Sequence, residues 1–314
     1  MNALIGYTGF VGSNISNQIK FDFLFNSKNI HEILNNSYDL VVCSAISAEK
    51  FLANKYPEED IRKINNLKEQ IKDLKCKKFV LISTIDVIDK QIDSNENTII
   101  DKTKLEPYGY NRLDFENFVL ENFKDVSIIR LPALFGKGLK KNFIFDMINK
   151  IPSMIMNQKF NEISSQINNE EQSVLFNSYT QDSNGNYVLN KLDNNARKNL
   201  IEVLEKVGFT SSVFTDSRSE FQFYDLSNIS KDIDIVIKNN IKIINFNSMP
   251  ISTKDIGKQC FNTDFNNIIS VKQPIKQDVK TIYASYFNSN SNYMYSKEDI
   301  VSSLNKFIGE NTNV

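Results

Sequence analysis

Short apolar, β-branched runs alternate with amphipathic stretches along the first 131 residues. The runs "NALIG", "FDFLF", "YDLVVCSA", "KFVLIST" and "VSIIRL" have the length and composition of buried strands. Between the third and fourth, "PEEDIRKINNLKEQIKDLK" spaces Ile61, Ile64, Leu67, Ile71 and Leu74 at helical intervals, with Pro57 early and acids in the first turn. This βαβ rhythm predicts an α/β fold with a mostly parallel, doubly wound sheet. Its crossovers are right-handed and its ligand sits beyond the carboxyl ends of the strands.

From about residue 151 the pattern loosens into Asn- and Ser-rich sequence, with one clear helix at "DNNARKNLIEVLEKVGF". The segment "FQFYDLSNISKDIDIVIKNNIKIINFN" then returns to strand, helix, strand, which suits late additions to the first sheet. A last helix, "SKEDIVSSLNKFI", opens with Ser296 and a capping-box acid at Asp299. The expected organisation is a first domain over residues 1–150, rejoined by 219–250, and a smaller mixed α/β lobe over 151–218 and 251–314.

At 314 residues and 41% apolar content the chain can bury a full core. Its 37 Lys and Arg against 38 Asp and Glu give a net charge of -1, which supplies no field to recruit nucleic acid or an anionic membrane. Cys43, Cys76 and Cys260 have neither metal-ligand nor C-x-x-C spacing, so no metal and no disulfide framework is expected. No apolar segment approaches eighteen residues and no leader-like stretch opens the chain, so a soluble, cytoplasmic protein is expected. A lone histidine, His31, in the polar stretch "NIHEILNN", removes most imidazole chemistry.

The first candidate chemistry is "LIGYTGFVGSNI", in which Gly6, Gly9 and Gly12 stand three apart between a strand and a short helix. Glycines there permit a tight turn and let the backbone of Gly9, Phe10, Val11 and Gly12 approach a pyrophosphate at a helix N-terminus. The second strand ends without the acid that would mark a free ribose 2'-hydroxyl. Asn26, Ser27 and Lys28 stand there instead, which suits a 2'-phosphate and so NADP over NAD, or is equally a solvated turn.

The second candidate is "EPYGYNRLDFENFV". With Pro107 opening a helix, Tyr108 and Arg112 fall on one face at i and i+4. A phenol near pKa 10 is a feeble acid or base at neutral pH, and an adjacent cation is expected to lower that value. Tyr110 has Asp114 at the same spacing, which works the other way. Upstream, "VLISTIDVID" ends a buried strand with hydroxyls at Ser83 and Thr84, one of which can bond a substrate oxygen.

With these motifs the chain resembles the extended short-chain dehydrogenase/reductases, which include nucleotide-sugar epimerases, dehydratases and ketoreductases. The glycine turn is similar to the family's G-x-x-G-x-x-G, "STIDV" to its S-T/S-x-x-V segment, "YGYNR" to its Y-G-x-S-K, and "RLPALFG" to its R-x-x-x-[VI][YF]G strand. The resemblance implies a Rossmann-like domain with a smaller substrate-binding lobe and an NADP or NAD cofactor. Thr84 would orient the substrate, Tyr108 transfer a proton, and Arg112 stand where the family has a lysine on the nicotinamide ribose. The family's Asn-Ala-Ala after the third strand is altered here to Cys43, Ser44 and Ala45, of which Ser44 and Ala45 are the expected cofactor contacts.

Dehydratases of the family carry an Asp-Glu pair after the Thr, whereas this chain has Ile85 and Asp86. Asp86 is either a substrate-side acid or base or a local backbone hydrogen-bonder. Lys141, Asn142 and Arg218 are expected on the sugar or its diphosphate. The implied activity is a nucleotide-sugar ketoreductase, as in bacterial surface-polysaccharide sugar biosynthesis. An epimerase or dehydratase, or a dinucleotide-binding protein without turnover, are the alternatives. A homodimer is implied by resemblance alone.

Overall fold

The structure is a computed structural model that describes residues 1–271 and 273–312. The chain divides into two compact units. The first comprises residues 1–139, 220–251 and 276–307.

In the first unit, β1 (Asn2–Ile5), β2 (Phe23–Phe25), β3 (Ser37–Cys43), β4 (Lys75–Thr84) and β6 (Val126–Leu131) join Ile243–Asn245 in a six-stranded sheet. The order is 243–245, β6, β4, β3, β1, β2, and every pairing is parallel. The short strand β5 (Ile92–Ser94) stands outside it.

The strands read as continuous apolar runs because both faces are covered. Side chains alternate across a strand, so Ala3, Ile5, Val41, Cys43, Phe79, Leu81 and Ile128 pack on one face. There they meet Ile64 and Ile71 of α3 (Pro57–Ile71) and Phe115 and Val119 of α4 (Pro107–Asn122). Leu4, Val42, Val80, Ile82, Ile129 and Leu131 point the other way. They pack against Ile15 of α1 (Phe10–Ser16) and against Ile229, Ile233 and Val236 of the helix Ile229–Lys238. Each such side chain contributes roughly 1.5–3 kcal/mol of transfer free energy, which fixes helices on both faces. Because β1 is flanked by β2 on one side and β3 on the other, a crevice opens at the carboxyl ends of β1 and β3.

Three expectations are corrected. Phe223–Asp225 does not extend the central sheet but pairs in parallel with Ala133–Phe135. Residues 276–307 belong to the first unit, since Asp278–Val279 pairs with β5 and the buried Gln222 side chain bonds both the N–H and the C=O of Val279. The first unit also ends at Leu139 rather than near residue 150.

The second unit comprises Lys140–Ser219, Ser252–Ile275 and the end of the chain. Its Asn-rich stretch holds two helices, Asn157–Ser165 and Asn169–Ser178, beside the expected Asn194–Lys206. Asn168 and Glu171 form a capping box at the start of the second. Phe160, Ile163, Leu175, Leu200 and Leu204 make the core, with a three-stranded antiparallel sheet of Met154–Ile155, Tyr187–Leu189 and Tyr179–Gln181. Among the described residues no helix is long and apolar enough to cross a membrane.

Candidate active site

The glycine turn joins β1 to α1 at the crevice. Gly6 has φ +88°, a left-handed conformation, and a Cβ there would fall 2.7 Å from Ala45 Cα and from the Ser44 carbonyl. A Cβ on Gly12 would fall 2.1 Å from the Gly6 carbonyl oxygen, which also accepts the Gly9 N–H at 3.0 Å. Two glycines are therefore demanded by backbone approach. Gly9 is the N-cap of α1 and has no side chain to satisfy the first-turn N–H groups, while Phe10 and Val11 open the helix half-buried. This is a cradle that fits a pyrophosphate. Ser44, at the end of β3, bonds the Ile5 carbonyl through both its N–H and its hydroxyl, so it braces the turn from the neighbouring strand.

After β2, Asn26 closes its own turn: its side-chain oxygen accepts from the Lys28 N–H at 2.8 Å and its amide donates to the Tyr7 hydroxyl at 3.1 Å. Ser27 and Lys28 are exposed. The amide is thus spent on the turn, and the hydroxyl and ammonium remain at the surface.

At the end of β4 the two hydroxyls part. Ser83 donates to Glu116, which forms a buried bidentate ion pair with Arg130. Thr84 instead faces the Tyr108 phenol and favours its ionised form. Its hydroxyl also accepts the Asp86 N–H at 3.2 Å, capping the turn Ile85–Val87. Asp86 takes Lys50 Nζ at 2.6 Å and Gln91 Nε2 at 3.2 Å on one oxygen. The carboxylate therefore bonds the side chains of Lys50, Gln91 and Thr84 rather than the local backbone, and its charge raises the Tyr108 pKa.

Tyr108 sits in the first turn of α4, its N–H held at 2.9 Å by Asn54 of the short helix α2 (Lys50–Lys55). Gly109 brings the helix against the turn after β4, where a Cβ would meet the Asp86 carbonyl oxygen at 2.1 Å. Arg112 stacks on the Tyr108 ring, its guanidinium carbon 3.9 Å from the ring centroid. The cation lowers the phenol's pKa as the spacing predicts, but burial outweighs it, and the phenol is pushed up to about 12. That corrects the expectation of a lowered value.

Arg112 differs from expectation in a second way. It is 2% exposed and clasps Asp60 of α3 with both terminal nitrogens, while Asn111 donates to the same carboxylate at 2.9 Å. The side chain expected on a ribose thus faces the protein. Lys50, Asn54, Asp60 and Gly109 were given no role by the sequence; only the Tyr-Gly dipeptide hinted at one of them.

A cavity of about 510 Å³ opens beside Asp86 and Gly109, lined also by Lys50, Gln91, Leu105 and Glu106. Lys141, Asn142 and Arg218 belong to the second unit. There Asn142 caps the helix Phe143–Asn149, accepting from Ile144 and Phe145, and Lys141 is exposed. Arg218 forks onto Asp216 at 2.9 and 2.7 Å.

Residues 18–168 match the NAD dependent epimerase/dehydratase family. No curated protein sequence matches significantly. Among solved structures, the chain is similar to dTDP-4-dehydrorhamnose reductase from Yersinia enterocolitica, at TM-score 0.61 and 16% identity over 99% of both chains. It is similar to the dTDP-4-dehydrorhamnose reductase of Bacillus anthracis in complex with NADP, at TM-score 0.60 and 13% identity over 98% of this chain and 97% of that one. MoeE5 in complex with UDP-glucose and NAD aligns at TM-score 0.64 and 13% identity over 99% and 98%. The family model thus matches residues 18–168, and the fold over the whole length is the one these solved nucleotide-sugar structures share.

Proposed function

We propose that the chain reduces a ketone on a nucleotide-linked sugar, with Tyr108 as the proton donor. The observation that carries this is the Tyr108 phenol beside the Thr84 hydroxyl at the carboxyl end of β4, with the Arg112 guanidinium stacked on its ring. The cradle of Gly6, Gly9 and Gly12 would hold the dinucleotide's diphosphate, and Ser27 and Lys28 favour NADP ahead of NAD. When bound, the nicotinamide supplies a hydride to the ketone carbon. Thr84 donates a hydrogen bond to the carbonyl oxygen, and Tyr108 gives that oxygen its proton, leaving an alcohol and a phenolate. Arg112, stacked on the ring, offsets the phenolate's charge until water returns the proton.

A reductase begins with the neutral phenol, the form this site stabilises. Reductases of nucleotide sugars among the similar structures support the same reading.

The test is product mass after incubation with NADPH or NADH and a panel of nucleotide-linked keto sugars. A gain of two hydrogens, matched by cofactor oxidation, is expected, and Tyr108→Phe should abolish it while NADPH still binds. An unchanged mass with a new isomer would establish an epimerase instead, and a fully active Tyr108→Phe would remove tyrosine from the mechanism.

A further inference from the structure

We infer that Asp60, on α3, is a positioning residue for proton transfer, and that through it the cation at position 112 serves the tyrosine and not the cofactor. The inference deepens the proposed reduction and rests on it.

A guanidinium has five N–H donors in a rigid plane. One terminal nitrogen of Arg112 donates to Asp60 Oδ2 and, at 3.4 Å, to the Tyr108 carbonyl. The other donates to Asp60 Oδ1 at 3.0 Å and to the Ser47 carbonyl at 2.6 Å. Those four bonds use both hydrogens on each terminal nitrogen. The fifth, on Nε, is buried without a partner among the described residues. No donor is left facing outward to reach a ribose hydroxyl.

The same bonds orient the ring. The Asp60 carboxylate and the Ser47 carbonyl fix the guanidinium plane, and that plane lies against the Tyr108 ring. Asp60 is itself fixed by Asn111 and by its buried place on α3. A lysine at 112 has three donors on a point charge and cannot both span the carboxylate and lie flat on a ring. In this chain Arg112 and Asp60 therefore act as one part. Removing Asp60's charge leaves a buried cation uncompensated, which frees it to leave the ring.

The test uses Asp60→Asn, Arg112→Lys and the double variant, with NADPH affinity from fluorescence titration and kcat from reduction. We expect each single variant to lose about 10–100-fold in kcat, as misplacement on the ångström scale does, at an NADPH Kd within threefold of wild type. The double variant should be no worse than the poorer single, since both break one unit. A tenfold or greater rise in NADPH Kd for Arg112→Lys would place the cation on the cofactor and overturn the inference, as would wild-type kcat in a folded Asp60→Asn.

Should Asp60→Asn fail to fold, Asn111→Leu, which removes one hydrogen bond from Asp60, is expected to lower kcat several-fold at unchanged Kd. Wild-type kcat there would count against the inference. If the wild type reduces no sugar ketone, the functional reading fails by itself, and the NADPH titrations still decide which group the cation serves.

Discussion

Replacing Gly109 by alanine tests the packing that sets Tyr108, the proposed proton donor, in place. The added Cβ would begin 2.1 Å from the Asp86 carbonyl oxygen. Carbon–oxygen contacts settle near 3.3 Å, so the start of α4 and the turn after β4 must separate by about 1 Å. Both sides are backbone, and no flexible side chain can absorb the difference. Overpacking of this kind costs about 1–3 kcal/mol, which for a chain of this size lowers Tm by roughly 1.5–5 °C. The chemical cost is larger. Tyr108 adjoins Gly109 and Thr84 adjoins Ile85 of that turn, so the separation falls between the proposed proton donor and the hydroxyl proposed to orient the substrate. A misplacement of about 1 Å corresponds to about 100-fold in kcat. NADPH affinity, which the proposed function assigns to the glycine turn after β1, should be unchanged. The assays are NADPH-dependent reduction, NADPH titration and thermal unfolding. Gly309→Ala is the control: it is helical with open space at the Cβ position, so alanine there should raise stability by about 0.5–1 kcal/mol. A Gly109→Ala enzyme with kcat within twofold of wild type and unchanged Tm would refute the reasoning.

Arg130→Met should destabilise the fold by about 3–5 kcal/mol in urea, because it strands the Glu116 carboxylate, 1% exposed, and adding Glu116→Leu should recover much of that loss. Asp146, half-buried in the second unit, has its carboxyl pushed up to about 6 by burial. A folded value above the unfolded one means full stability below about pH 4, lost as pH rises through 6. Asp146→Asn should therefore raise unfolding stability at pH 8 by about 1–2 kcal/mol, allowing for the solvent that still reaches the group, and leave it unchanged at pH 4.

What the sequence made legible follows from physical range. The strands were readable because β4 and β6 bury both faces, so apolar character alone marks them. The glycine turn was readable because its constraints act between residues six apart. The interior of α4 was not. Asn111, Arg112 and Glu116 look like a solvated polar face, yet all three are buried on partners from elsewhere in the chain. A helical repeat predicts burial only when the buried residues are apolar. Asp60 lies 52 positions before Arg112, and no local spacing connects them. The i,i+4 argument gave Arg112's effect on the phenol the right sign, but the desolvation that outweighs it depends on packing that no local pattern records. In the second unit, the Asn-rich helices were missed because a few widely spaced residues, Phe160, Ile163 and Leu175, carry the core.

The order in which the central sheet is completed sets a hazard during synthesis. Strand β6 is buried at all six positions, and its outer edge is closed only by Ile243–Asn245, with Ile128 bonded to the Lys242 carbonyl and Phe246 to that of Arg130. Those residues leave the ribosome on the order of a hundred positions later, roughly 5–20 s at ordinary elongation rates. Through that interval the nascent chain carries a bare, apolar strand edge able to template pairing with a neighbouring chain on the same message. A chain ending at residue 240 should accordingly aggregate where the full chain stays monodisperse, as light scattering would register. The late strand thus works as a closing seam, and slow codons between residues 131 and 243 would lengthen exposure without altering a single contact in the finished fold.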